Sequence, residues 1–239
     1  MELSHLRLLQ SISLKACQRA AEIQRQYFRK NFSVSTKTGR NDFVTEVDIK
    51  SQIEIIKTIQ EEMRTNGFND SEYGFLGEEN GQNDTNKKII FIIDPLDATA
   101  NFAMGFEMFS VLISVYIEGE VKTGIIYRSL TGEYYTAIKG QGSYKFESDG
   151  SNKKLSIPKV KLIDSVLTGS HTLVHYCEKN FRKQIGTVRS IHGTGLQMAL
   201  ISEGIFNLFI GKSPSIWDIA GCCLIASEAG GVYTDFDGN

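Results

Sequence analysis

The sequence predicts an α+β first half joined to an α/β second half, with helices and sheets stacked in layers. Three observations carry this. Two long segments near the start repeat apolar residues at spacings of three and four, the helical period. From residue 109 the period changes to two, and glycine-bearing turns cut the chain into short pieces, the mark of an antiparallel meander. Beyond about residue 155, strand-like and helix-like segments alternate. Layers of helix on sheet are the economical way to bury both kinds of apolar face. Residues 1–239 are read as a single unit with subdomains of approximately 1–147 and 155–239.

Residues 4–29 read as the first helix, with Leu9, Ile12, Ala16, Ala20, Ile23 and Tyr27 on one face and Ser4 placed to cap the start. Residues 31–42 are polar and contain glycine, hence a loop. A second helix runs from about Asp48 to Met63, with Ile49, Ile53, Ile56, Ile59 and Met63 on one stripe. Asn66 to Tyr73 is turn-rich. Phe75-Leu76 is a short strand ending in Gly77-Glu78-Glu79, and residues 81–88 form a surface loop. Ile89 to Ile93 has the length and β-branched content of a buried strand, and Pro95, lacking an N–H, stops its ladder. Ala98 and Thr99 open a short helix. Strands follow at 110–117, 121–127, 133–138 and 142–146, separated by turn residues. Ser148 to Lys154, polar and rich in glycine and asparagine, is the candidate internal boundary. Strands are expected near 165–168, 187–191, 206–210 and 231–235, and helices near 171–183, 194–203 and 218–229.

Composition excludes several classes. The 239 residues are 41% hydrophobic, enough for a full core, and the net charge of -2 offers no global basic field for nucleic acid or anionic lipid. The apolar runs are far too short to span a bilayer. The start of the chain lacks a basic segment leading into an apolar one, so no secretory signal is expected. Cys17, Cys177, Cys222 and Cys223 show no Cys-x-x-Cys spacing, and buried reduced thiols in a cytoplasmic setting are expected. Gly140-x-Gly142 reads as a hairpin turn, since no helix or third glycine follows it.

Four acidic clusters stand at element boundaries: Asp42/Asp48, Glu78/Glu79, Asp94/Asp97 and Asp218. Each alone has a plainer reading. Asp48 and Asp218 begin helices and suit N-caps. Glu78 and Glu79 suit a solvated loop. Asp94 and Asp97 are harder to dismiss, because two carboxylates beside a buried strand repel each other and resist desolvation unless a cation compensates. Mg²⁺ takes oxygen ligands in near-octahedral geometry and is commonly completed by substrate phosphate. The amides of Ala98 and Thr99, at a helix start, suit a phosphate dianion. The Thr99 hydroxyl suits either a water or a helix cap. His5, His171, His175 and His192 are scattered, and the His171/His175 pair has no acidic partner nearby, so surface histidines are expected.

These residues resemble a known family. Asp94-Pro95-Leu96-Asp97-Ala98-Thr99-Ala100-Asn101-Phe102 is similar to the signature of the inositol monophosphatase family of Mg²⁺-dependent, lithium-sensitive phosphatases. Trp217-Asp218-Ile219-Ala220-Gly221, followed by Glu228-Ala229-Gly230-Gly231, resembles its second signature. Asp42-Phe43-Val44-Thr45-Glu46-Val47-Asp48 and Gly77-Glu78-Glu79 resemble its two upstream motifs, in the right order. The resemblance covers nearly the whole chain.

It implies a five-layer αβαβα sandwich, commonly dimeric. It implies that Glu78, Asp94 and the Leu96 carbonyl hold one Mg²⁺, that Asp94, Asp97 and Asp218 hold a second, and that a third, weaker ion lies near Glu78. Glu78 and Thr99, with Asp48 behind Thr99, would activate the attacking water, and the amides of Ala98 and Thr99 would bind phosphate. Lys37 falls at a family position near the metals, and Gly193-Thr194-Gly195 matches a segment that contacts the sugar. The implied substrates are small phosphate monoesters, inositol monophosphate or sugar phosphates first, with fructose 1,6-bisphosphate, histidinol phosphate and 3′-phosphoadenosine 5′-phosphate as alternatives. A catalytically weak binding or regulatory homologue is the reading from a different class.

Three departures bear on this. Ala98 replaces the usual glycine, where positive φ or close phosphate approach would matter. Gly211, beside Lys212, stands where inositol-preferring members carry a glutamate; lysine there favours an anionic substrate. The sequence ends at Asn239, where relatives continue through further strand and helix.

Overall fold

The computed structural model describes residues 2–36, 43–79 and 84–239. Helix α1 (Leu3–Tyr27) buries Leu9, Ile12, Ala16, Ala20 and Gln24. It begins at Leu3, with Glu2 rather than Ser4 at the cap position. Strands β1 (Val34–Thr36) and β2 (Phe43–Thr45) pair antiparallel, so part of the stretch expected as loop is strand. Helix α2 (Glu46–Thr65) buries Asp48, Ser51, Gln52, Ile55, Ile59 and Met63. The expected apolar stripe is turned: Ile53 is 58% exposed. Ser51 and Gln52 take the inward places because they have buried hydrogen-bond partners, which a count of apolar spacing does not register.

Strands β3 (Tyr73–Gly77) and β4 (Ile89–Asp97) pair in parallel. The short helix α3 (Thr99–Ala103) follows β4 directly. Then β5 (Ser110–Ile117), β6 (Glu120–Tyr127), β7 (Tyr134–Ile138), β8 (Ser143–Phe146) and β9 (Asn152–Lys154) form the expected meander, giving a seven-stranded sheet in the order β3-β4-β5-β6-β7-β8-β9. Two expectations are corrected here. Pro95 does not end β4: pairing to β5 continues through Asp94↔Leu112, shifts register, and resumes at Asp97↔Ser110. The proline's missing N–H falls inside this irregularity, where no ladder bond is lost. The polar stretch expected as a boundary also contains β9, which pairs with β8.

One face of this sheet packs against α1 and α2 through Leu9, Ile55, Ile59, Phe91, Ile93 and Ile113, all essentially buried. A 3₁₀ turn (Leu162–Asp164) leads to β10 (Val166–Gly169), α4 (His171–Phe181), β11 (Thr187–Val188), α5 (Thr194–Ser202), β12 (Leu208–Ile210) and α6 (Ile216–Glu228). Helices α5 and α6 pack together, and α6 covers the other face of the large sheet. The approach is close: a Cβ on Gly124 of β6 would lie 2.7 Å from the Gly221 carbonyl oxygen of α6.

Strands β11, β10 and β12 form a parallel three-stranded sheet. Thr168 bonds the Gln197 side chain of α5, whereas its neighbour Leu167 shares a cavity wall with Cys177 and Phe181 of α4. Successive strand residues face opposite sides, so α5 and α4 lie on opposite faces. The layers are therefore α1/α2, large sheet, α5/α6, small sheet and α4, the αβαβα sandwich. The expected strand at 231–235 is not formed, and Val232 is 91% exposed. The last turn of α6 takes the Gly231 amide onto the Ala226 carbonyl, and the Asp235 carboxylate gathers the amides of Asp237 and Asn239 into a turn. An alternating pattern makes a strand only where a neighbouring edge pairs with it.

Among the described residues no helix is long and apolar enough to cross a membrane. All four cysteines are free, Cys17 and Cys222 buried and Cys177 and Cys223 half-buried.

Candidate active site

Because β3 and β4 are parallel, their C-terminal ends finish together. The Glu78 amide donates to the Ile93 carbonyl at 3.1 Å, which sets Glu78 beside Asp94. Two buried amide side chains from the helical layer pin these ends. From α1, Gln24 Nε2 donates to the Pro95 carbonyl at 2.7 Å. From α2, Gln52 accepts from the Glu79 amide at 2.9 Å and donates to the Glu79 carbonyl. Gly77 makes room for that clamp, since a Cβ there would lie 2.6 Å from Gln52 Oε1.

Asp48 serves two ends at once. Thr45 is the N-cap of α2, and Asp48 Oδ2 accepts from the Thr45 amide at 2.8 Å. Its Oδ1 lies 2.8 Å from Thr99 Oγ1, which is also 3.0 Å from the Leu96 carbonyl. Thr45 and not Asp48 is therefore the N-cap; Asp48 completes its capping box and also contacts Thr99. Ala98, at the N-cap of α3, sits at φ 69°, ψ 47°, a left-handed conformation that costs an L-residue about 1–2 kcal/mol.

Asp97 joins the two halves of the chain. Its Oδ1 accepts from the Thr194 amide and its Oδ2 from the Gly195 amide, each at 2.9 Å. It thereby caps α5, whose own N-cap, Gly193, has no side chain. Gly193 (φ 83°) must be glycine twice over, because a Cβ would lie 2.7 Å from that of Ala98. Asn101 of α3 donates to the Ile191 carbonyl at 3.0 Å, fastening the same junction. Asp218, in the first turn of α6, accepts from the Ser215 amide at 3.1 Å. The helix starts at Ile216, so Ser215 and not Asp218 is its N-cap.

Burial pushes the Asp94 carboxyl well above the usual carboxylate range, and the charges of Glu78, Asp97 and Asp218 push the same way. Those three carboxylates therefore surround Asp94 within electrostatic reach. Burial also raises Asp97, against hydrogen bonds from Ser110, Thr194 and Gly195, and raises Asp48, against those from Thr45 and Thr99. Asp94 is 2% exposed and Asp97 5%, and among the described residues neither pairs with a lysine or arginine. Buried negative charge of this kind, with a backbone carbonyl at Leu96 beside it, suits a hard divalent cation. Among the described residues no three acidic, histidine or cysteine side chains form a closed cage as they stand. Asp97 and Asp218 are turned toward the amides of helix starts instead. The donor chemistry fits such an ion.

The structure thus brings together Asp48, Glu78, Asp94, Leu96, Asp97, Ala98, Thr99, Gly193, Thr194 and Gly195, with Asp218 in electrostatic contact. Lys212 is exposed just beyond β12, its amide donating to Ser170 Oγ at 3.1 Å. Lys37 and Asp42 lie outside the described residues. His171 and His175 are exposed, as expected. Sequence reasoning missed Gln24, Gln52, Asn101 and Ser110; the only available signal was a polar residue on an otherwise apolar stripe. A cavity of about 260 Å³ lies elsewhere, between α4 and the small sheet, and carries no carboxylate.

The chain is similar to known proteins over most of its length. The model of the family described as "Inositol monophosphatase family" matches residues 5–239. An inositol-1-monophosphatase from Mesorhizobium japonicum is 31% identical, over 87% of this chain and 77% of its own length. A Nus factor SuhB from Haemophilus influenzae is 28% identical, over 95% of this chain and 85% of its own. A solved inositol monophosphatase/NADP phosphatase, in complex with Mg²⁺ and phosphate, superposes with a TM-score of 0.75 at 25% identity, covering 93% of this chain and 82% of that one.

Proposed function

The chain belongs to the inositol monophosphatase family, and on that premise we propose that it hydrolyses small phosphate monoesters, inositol monophosphates or sugar phosphates, in a Mg²⁺-dependent reaction without a covalent intermediate. The observation that carries this reading is Asp94, a buried carboxylate ringed by three others and followed at once by a left-handed, amide-bearing turn.

Glu78, Asp94, the Leu96 carbonyl, Asp97 and Asp218 would hold two divalent ions, with Asp94 shared and a third, weaker ion near Glu78. Ions held there supply the positive charge that offsets the phosphate dianion and acidify a neighbouring water. The chain's own groups do the rest. The amides of Ala98 and Thr99 receive phosphate oxygens at the start of α3. Thr99 Oγ1, already 2.8 Å from Asp48 Oδ1, passes a water proton toward that carboxylate, and Glu78 orients the same water from the end of β3. Gly193, Thr194 and Gly195 line the alcohol side, directly against Ala98. Lys212, exposed just beyond β12, would favour an anionic substituent on the substrate. The four free thiols support a reducing, cytoplasmic setting. A homodimer follows the family expectation, and light scattering tests it.

Phosphate release over a panel of monoesters, with Mg²⁺, then EDTA, then lithium, tests the reaction. Turnover unaffected by EDTA overturns the metal reading. The SuhB-named relative supports a second reading, a regulatory homologue with weak turnover; no release from any monoester, with intact Mg²⁺ binding, would favour it.

A further inference from the structure

Ser110 lies opposite Asp97 in the β4–β5 ladder and is wholly buried. Its hydroxyl donates to Asp97 Oδ2 at 2.9 Å. Oδ2 also accepts from the Gly195 amide, and Oδ1 from the Thr194 amide, each at 2.9 Å. An ionised carboxylate offers about four lone-pair positions, two per oxygen. Both positions on Oδ2 are therefore spent, and one remains on Oδ1. Three hydrogen bonds hold the carboxylate in this orientation. A Cβ on Gly195 would lie 2.7 Å from Ser110 Oγ and 2.9 Å from Asp97 Oδ2, so the three groups are in close contact.

We infer that Ser110 restricts Asp97 to ligation through one oxygen and thereby biases the second metal position toward Mg²⁺ over Ca²⁺. The physical reason lies in the two ions. Ca²⁺ accepts six to eight oxygens at longer distances and readily takes a carboxylate through both of its oxygens; Mg²⁺ demands near-octahedral geometry and takes one oxygen per carboxylate. A carboxylate with only Oδ1 open meets the smaller ion's requirement and denies the larger ion its extra ligand. Ser110 acts through Asp97 and is a positioning residue. The inference rests on the proposal that Asp97 holds a divalent ion.

The test is calorimetric titration of the full chain with Mg²⁺ and, separately, with Ca²⁺. In Ser110→Ala the ratio of Ca²⁺ to Mg²⁺ affinity should rise about tenfold, the low end of what hydrogen-bond partners of metal ligands contribute. Ser110→Cys, nearly isosteric and a far weaker donor, should shift the ratio the same way, so a packing defect in the alanine variant does not decide the result. Ser110→Thr, which keeps the hydroxyl, should hold the wild-type ratio. An unchanged ratio in both donor-removing variants overturns the inference, and so does an equal loss for both ions, the mark of mere loosening. Failure of the wild-type chain to bind either ion, read before any variant, overturns the metal proposal itself.

Discussion

The carboxylate end of the large sheet and the outer face of the small sheet bury their side chains by opposite means. At the first, charged and polar groups go inside, and each is held. Gln24 and Gln52 pin backbone, Asp48 links α2 to Thr99, and Asp97 caps a helix far along the chain. At the second, apolar groups meet loosely. Helix α4 buries only Val174, and a cavity of about 260 Å³ lies between Leu167, Phe181, Leu208 and Ile210. Close packing costs freedom and is retained where geometry matters. The difference teaches that the presence of a cavity does not mark the chemistry here. Buried charge without a described counter-cation, together with a residue in a disfavoured backbone conformation, marks it.

The largest expected effect separates the two regions outright. Asp94→Asn should lower phosphate release roughly a thousandfold, the loss of several kcal/mol of charge stabilisation. The same variant should melt higher than the parent in EDTA at neutral pH. The sign follows from the raised Asp94 carboxyl. Between the ordinary carboxylate value and Asp94's own, the folded state keeps a proton that the unfolded chain has released. Metal-free stability therefore falls as pH rises through that window. A variant that melts lower at neutral pH, or keeps its turnover, breaks the comparison. Next, Thr99→Ala should cost on the order of a hundredfold in kcat, whereas Thr99→Ser keeps most of it; stopped assays of the two decide whether the hydroxyl or the shape matters.

A double-mutant cycle sharpens the picture. Gly193→Ala should destabilise by about 2–3 kcal/mol, since its φ is 83° and its new Cβ would meet that of Ala98. Adding Ala98→Gly should restore about 2 kcal/mol of that loss, more than the ~1 kcal/mol it gives alone, because it also removes the clash; urea unfolding measures the difference, and strict additivity would refute the contact. On the outer face, Leu167→Ala should cost about 2 kcal/mol, low for a buried leucine because the adjacent cavity already leaves it partly unpacked. It should leave Mg²⁺ affinity unchanged, and a shift in affinity would mean the two regions are coupled. The smallest effect is Ala98→Gly alone, about 1 kcal/mol of relief from the left-handed conformation, with activity equal or higher.

Legibility in the sequence followed these same lines. The meander strands were readable almost to the residue, because alternation and glycine turns are local signals. Glu78, Asp94, Asp97, Thr99 and the Gly193–Gly195 segment were readable from family resemblance, and the structure groups them. The inward face of α2 was misread, because Ser51 and Gln52 look like surface residues until their partners are known. The strand expected at 231–235 was misread because β propensity says nothing of whether an edge is present to pair with. Ser110 gave only the faint signal of one serine in an apolar strand.

By itself the sequence determined the helices and the meander strands, and which side chains carry charge, because those properties depend on neighbours within a turn or a pleat. Only the tertiary structure decided that the Asp97 carboxylate turns to the amides of Thr194 and Gly195, that Ala98 presses on Gly193, and that Ser110 occupies one edge of Asp97. Two of these contacts span about a hundred residues of chain. No local period encodes such a pairing; it arises when the sheet and α5 are packed together and each buried polar atom must find a partner.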